Sequence, residues 1–492
     1  MNKEITEKSK KIILIILIAG CFLSTLNQTL LNVALSSFMD IFDVTAATVQ
    51  WLSTGYMLVN GVLVTITAFL MKRFSTRQLF ISSMFFLLIG SILCAFSPNF
   101  AILLTGRMIQ AIGAGIIIPL LMTVVLYLYS SEKRGGIMGT IGFAIIFAPA
   151  IAPTLSGFIL EYVSWRWLFI GLAPFLLIII VLAFKYLTNV AETTKAKLDI
   201  VSVILSTIGF GSILFGFSSA GSKGWDNSIV LTTIIVGAIV TTLFCLRQIK
   251  SNDPLLNLSV FKYKIFTLTS FINILITLIM YADLILLPLY LQNGRGFTAL
   301  EAGFLLLPGA VINAFLSPVT GRMYDKYGAR PLFITGLLFI IISMWGVIDL
   351  TESTSYMYLM VRTCILRIGL SFITMPLNTA GLNALPRELG SHGSAVNNTV
   401  RQLAGAIGTA VVITVYSTLS TSHASELSIE NVNISAVQLA KLASIYGSSG
   451  AYLFMLVLSF VALIVTFFMP ANKTEKRKNK DKKTALEQRG IR

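Results

Sequence analysis

Fourteen apolar runs of about 20 residues recur along this chain, each long enough to cross about 30 Å of hydrocarbon as a helix. They fall at 12–35, 49–70, 79–97, 101–128, 136–160, 165–187, 200–219, 228–247, 265–290, 303–322, 331–349, 356–383, 396–418 and 449–469. In a bilayer no water satisfies a peptide group, so such runs must close their hydrogen bonds internally. An all-α polytopic membrane protein with 14 transmembrane helices is therefore expected. Composition agrees. Of the 492 residues 55% are hydrophobic and 12% charged, against about 25% charged in soluble proteins. The first run follows Lys8, Lys10 and Lys11, is too long for a signal-peptide core and lacks a small-x-small cleavage site, so it reads as a retained span.

Charge orients the spans. With the N-terminus in the cytoplasm, the inward-facing segments hold 29 of the 37 Lys and Arg residues, whereas the outward-facing ones hold only Arg166, Lys223, Arg295 and Lys441. That bias puts both termini on the cytoplasmic side of the cell membrane and the 419–448 segment outside, where a surface helix around Ser425 to Ser444 is expected. The net charge of +16 thus needs no nucleic acid as partner. The basic tail from Lys473 to Arg492 is expected to be disordered and to lie near anionic lipid. Cys21, Cys94, Cys245 and Cys364 are isolated within spans, without metal or redox spacing. Neither His392 nor His423 sits in a catalytic pattern and no phosphate-binding loop occurs, so no enzyme, metal or cofactor is expected.

The fifth run carries Gly142-Phe-Ala-Ile-Ile-Phe-Ala148-Pro149-Ala-Ile-Ala152-Pro153-Thr-Leu-Ser156-Gly157. Pro149 and Pro153 share a helix face, and each removes a backbone donor, so a bend is expected. Ala148, Ala152, Ser156 and Gly157 are small enough to let a neighbouring helix approach closely. Either a tightly packed helix of any polytopic protein or part of a moving bundle fits that pattern.

Two cytoplasmic loops look alike at an offset of 253: the one holding Lys72, Arg73 and Arg77, and the one from Gly321 through Asp325 and Lys326 to Arg330. A duplication follows, with six-helix halves at 1–187 and 265–470, an inserted helix pair with its linkers at 188–264, and the tail at 471–492. Transporters built from related halves place their substrate near the midplane between them.

Gly321 to Arg330 resembles the loop motif G-x-x-x-D-[RK]-x-G-x-[RK] of the major facilitator superfamily. Arg107-Met-Ile-Gln110-Ala-Ile-Gly113-Ala-Gly115 is similar to its span-4 motif, and the proline-bearing stretch to its antiporter motif, with alanine and serine at several glycine positions. Trp165-Arg166-Trp167, Leu287-Pro288-Leu-Tyr290-Leu-Gln292 and Arg401-Gln402-Leu-x-Gly405 add to the match, and Asn27 to Leu35 resembles the lincomycin-exporter-like subgroup of the fourteen-span drug:proton antiporters (EmrB/QacA-like). The resemblance covers about 1–470. It implies a proton-coupled exporter of amphipathic drugs or antibiotics working by alternating access, and a place for the fifth span against the tenth. Two positions depart from the pattern. Asn27 stands where many relatives carry an aspartate, and Lys72 where the first loop motif has an acid.

A charge within a span costs about 2.5–3.5 kcal/mol on insertion scales, so each one is a functional candidate. Asp283 is the one carboxylate well inside a span, either a proton or cation site or a packing acid bonded to a neighbour. For Arg107 the resemblance implies proton handling or gating; otherwise it is an interfacial arginine bonded to carbonyls. Glu161, at the end of the fifth span, is a further proton-coupling candidate or a solvated side chain. Arg362 is expected to snorkel outward and Arg367 to pair with a deeper polar group. Asn27, Gln28, Asn32, Gln110, Asn273, Gln292, Asn313, Asn378 and Gln402 supply polar candidates for a substrate cavity, and Phe143, Phe147, Tyr281 and Tyr290 apolar walls. Pro149, Pro153, Gly157, Arg73, Arg77, Asp325 and Arg330 are candidates for gating or structure. The partners expected are drugs, protons and the lipid bilayer, with the chain a monomer. A carrier of one endogenous metabolite or lipid, and a non-transporting sensor, are the alternatives.

Overall fold

The computed structural model describes residues 6–44, 46–49, 51–190, 199–251, 254–430 and 435–470. The expected basic tail at 471–492 lies outside them. Among the described residues every regular element is helical. The fourteen apolar runs become α1 (Glu7–Phe42), α2 (Trp51–Arg73), α3 (Thr76–Ala95), α4 (Phe100–Leu128), α5 (Arg134–Tyr162), α6 (Ala173–Tyr186), α7 (Ile200–Lys223), α8 (Ser228–Lys250), α9 (Lys264–Leu289), α10 (Ala299–Tyr327), α11 (Ala329–Trp345), α12 (Tyr356–Asn383), α13 (Gly390–Glu430) and α14 (Ala436–Phe467). Thirteen of the helical segments are long and apolar enough to cross a membrane; α11 is a shorter apolar helix of 17 residues.

Polar residues at the run boundaries start the helices. Ser75 accepts from the N–H of Gln78, whose side chain returns to the Ser75 N–H, and Thr298 with Glu301 closes the same box on α10. Asn99 caps α4 through the Ile102 N–H. At the other end of α9, Pro288 withholds a donor and the chain widens into a π turn at Tyr290–Gly294, with the Arg295 N–H reaching back to the Tyr290 carbonyl. One expectation fails here. No separate surface helix forms in the 419–448 segment: residues 419–430 continue α13 and 436–448 begin α14.

The chain divides into two compact units. The first comprises Met1–Ser130, Ala144–Tyr263 and Leu385–Thr414, and the second Ser131–Phe143, Lys264–Ala384 and Val415–Arg492. Within the first, Trp165 sets its ring edge-on to Phe38 at 5.3 Å, in a core with Leu31, Leu52, Cys94, Leu103 and Phe169. Glycine brings α3 and α4 together: a Cβ on Gly90 would lie 2.6 Å from the Gly106 carbonyl oxygen. The inserted pair packs likewise, since a Cβ on Gly237 would lie 2.8 Å from the Ile213 nitrogen. Arg247 of α8 clasps Asp199, the N-cap of α7, at 2.9 Å.

The second unit holds the beginning of α5 against α10. Gly135 and Gly139 lie against the backbone of Gly321 and Ser317, leaving no room for side chains. The Asp325 carboxylate accepts the N–H groups of Gly135 and Gly136, both at 2.8 Å, and so caps the N-terminus of α5. The close approach of the fifth and tenth spans is therefore made by Gly135 and Gly139. At Gly157, where the sequence placed it, no described atom lies within 4 Å of an added Cβ. Ala148, Ala152 and Ser156 are each fully buried. Helix α5 runs unbroken through Pro149 and Pro153.

Candidate functional site

Arg107 lies 1% exposed in α4 of the first unit. Its Nη1 donates to the Asn27 side-chain oxygen at 3.1 Å, the Asn27 carbonyl at 3.3 Å and Gln110 Oε1 at 2.8 Å. The guanidinium stacks over the Tyr56 ring, 4.3 Å from its centroid, and Gln110 passes its own amide hydrogen on to Ser91. No carboxylate joins this group among the described residues, and Nε has no partner. A buried cation is here solvated by dipoles alone, an arrangement that costs free energy wherever an acid is absent.

The second unit answers with an acid. Asp283 of α9 is 0% exposed and receives Arg362 Nη1 at 2.9 Å and Arg367 Nη2 at 3.2 Å, both from α12. The Tyr452 hydroxyl of α14 donates to it at 3.4 Å. Arg362 also donates to the Ser343 carbonyl and to the Met344 sulfur, and lies 4.6 Å over the Tyr452 ring. The expected snorkelling of Arg362 is thus corrected: an internal carboxylate draws the side chain inward, because an ion pair away from water outweighs a reach to the interface. Arg367 meets the expectation of a deep polar partner.

Other candidates separate from these clusters. Glu161 is exposed at the end of α5 and joins neither. Tyr290 is fully buried and gives its hydroxyl to the Thr351 carbonyl at 2.9 Å, so it anchors a loop instead of lining a substrate space. Gln292 is exposed and lines a cavity of about 660 Å³ with Asn293, Tyr416, Ser420, Lys441 and Ser444. Asn378 donates to the Thr374 carbonyl of its own helix. Gln28, Tyr281 and Phe147 are half-buried, and Phe143 meets Phe315 edge-on at 5.3 Å. Asn32 belongs to α1, with its side chain outside the described residues. Gln402 donates to Asn60 at 2.7 Å. Arg77 donates to the Phe184 carbonyl, Arg73 is exposed at the end of α2, and Arg330 lies over the Phe467 ring.

Tyr56 and Tyr452 were not legible as site residues. Each sits in an apolar run that gives no sign of the arginine on another helix. Ser343, which receives Arg362 at its carbonyl, is equally silent.

Together these features define a polytopic helical membrane protein whose spans enclose two charge clusters. The chain belongs to the major facilitator superfamily, whose profile matches residues 17–409. It is 49% identical over 426 residues to an uncharacterized MFS-type transporter, YhcA, of Bacillus subtilis, covering 87% of this chain and 80% of that one. It is 42% identical over 470 residues to the lincomycin resistance protein LmrB of the same organism, covering 95% and 97%. The solved structure of the proton:xylose symporter XylE superposes with a TM-score of 0.64 at 14% identity, over 94% of this chain and 96% of that one, a likeness that shows the fold alone.

Proposed function

We propose that this chain is a proton-coupled exporter of amphipathic drugs or antibiotics in the cell membrane, with both termini cytoplasmic and the chain acting as a monomer. The halves 1–187 and 265–470 would alternate access around the inserted pair. The relation to a lincomycin resistance protein supports the substrate class.

The observation that carries the coupling is Asp283, the one fully buried carboxylate among the described residues, held between two guanidiniums. Ionised, it leaves its cluster with one positive charge; protonated, with two. Alternating access between the two halves would place this carboxylate in a dry and a hydrated environment in turn. Asp283 is then the proton-coupling group, and Arg107 fixes α4 to α1 at constant charge.

Proteoliposomes test this. Lincomycin added to wild-type vesicles is expected to release protons across a pH gradient. Asp283→Asn keeps the shape but fixes the neutral state, and is expected to abolish uphill export while the protein remains in the membrane. Wild-type export by Asp283→Asn would make Asp283 structural and move the search for the coupling group to Glu161 or the Arg107 cluster.

A further inference from the structure

The buried charge of the second unit does not balance. Arg362 is fully engaged, by Asp283, Ser343, Met344 and the Tyr452 ring. Arg367 donates to Asp283 alone, through Nη2 at 3.2 Å, longer than the usual 2.7–2.9 Å of a charge-assisted bond. Its Nε and Nη1 donate to no described group. They are not among the fully enclosed unpartnered atoms, and the side chain keeps 8% of its surface accessible. One cation of the triad is therefore spare, deeply set and open to something small.

A second polar group stands nearby in the fold. The stem of Arg367 lies against Gly309 of α10, where an added Cβ would come within 2.9 Å of its Cγ. Asn313 is one turn further along the same face of α10. It is 6% exposed, and its carboxamide oxygen is buried without a partner. A carboxamide can present its NH₂ instead of its oxygen, so this position offers a neutral donor on the helix against which the Arg367 stem packs.

We propose that Arg367 and Asn313 recognise a carboxylate carried by the transported solute, which supplies the negative charge that Asp283 leaves uncovered. The proposal rests on the export reading for there being a solute at all. It adds a charge class: among the described residues the buried side chains carry more positive than negative charge, so an acidic amphiphile is favoured over a cationic one. The planar fork of arginine suits a carboxylate, which it binds through two parallel hydrogen bonds.

Rhodamine B, which has a free carboxylate, and its ethyl ester differ only at that group. Their dissociation constants for the purified protein, measured by fluorescence anisotropy at pH 7, give the test. The wild type is expected to bind the acid at least tenfold more tightly than the ester. Arg367→Gln is expected to bring that ratio below twofold, and Asn313→Leu to lower it by a smaller factor. Arg367→Lys, which keeps the charge without the fork, should fall between, and it also covers the case in which Arg367→Gln fails to fold. Equal binding of the two dyes by the wild type overturns the proposal, as does a tenfold preference that survives Arg367→Gln. The wild-type comparison is independent of transport. A carboxylate preference in binding without uphill efflux of the acid dye from proteoliposomes supports the site and overturns the export reading, and efflux of that dye without the preference does the reverse.

Discussion

In the first unit an arginine of α4 reaches a residue of α1 and lies on a tyrosine ring; in the second, an arginine of α12 reaches a residue of α9 and lies on another. The distances agree closely: 3.1 Å from Arg107 to Asn27 and 2.9 Å from Arg362 to Asp283, with ring separations of 4.3 and 4.6 Å. Arg362 follows Arg107 by 255 residues and Asp283 follows Asn27 by 256, near the offset of the two loops. The tyrosines come from α2 and α14. What differs is charge. An amide meets Arg107, whereas a carboxylate meets Arg362 and draws in Arg367 besides. Two similar arrangements thus differ in kind: Arg107 meets dipoles alone, whereas Arg362 shares a carboxylate with a second arginine.

The largest test removes each partner. Asp283→Ala leaves two buried guanidiniums without their acid and is expected to cost about 3–5 kcal/mol of stability. Asn27→Ala removes one neutral acceptor from a charged donor and should cost about 1.5–3 kcal/mol. Thermal unfolding in detergent compares them; equal losses would mean that the two clusters are energetically alike.

Next comes the seam in α5, whose first residues belong to one unit and the remainder to the other. Gly139→Ala drives a methyl group into the Ser317 backbone and is expected to cost about 1–3 kcal/mol. Gly157→Ala meets no described atom and should change stability by less than about 0.5 kcal/mol. A matching loss at Gly157 would show that its face packs in another state of the protein.

Asn27→Asp sharpens the comparison by giving the first unit the acid of the second. Arg107 is already desolvated, so only the new carboxylate pays that cost, and a gain on the order of 1 kcal/mol is expected. A fall in the unfolding temperature would mean that the dipoles already satisfy Arg107.

The smallest effect is at the inserted pair. Hydrogen bonding by Arg247, then by Ser202, holds the Asp199 carboxyl down to about 2 from 3.8, against a smaller opposing effect of burial. The folded value lies below the unfolded one, so this contribution is complete above about pH 4 and is lost as the pH falls towards 2. Arg247→Gln should abolish that part of the acid dependence and lower stability slightly at pH 7 but not at pH 2, the loss being small because solvent screens a partly exposed pair. An unchanged acid profile would place the dependence elsewhere.

Hydrophobic run length and lysine and arginine placement depend only on what each segment contains, so the fourteen helices and their approximate bounds were legible in the chain alone. So was the need of Asp283 for a partner, because a lone carboxylate in an apolar run is costly wherever its neighbours lie. The two look-alike loops also announced Asp325, although not that it would cap α5 through Gly135 and Gly136. Partnership was not legible. Arg362 read as a side chain heading for the interface because five residues of spacing say nothing about an acid on α9, and Gly157 read as a contact because a small residue shows only that room exists. Which arginine meets which acid, which tyrosine lies beneath it and which glycine is filled by a neighbour are decided by distances between helices far apart in the chain. Those distances arise only when the packed faces compete for the same space, and no segment carries that information by itself.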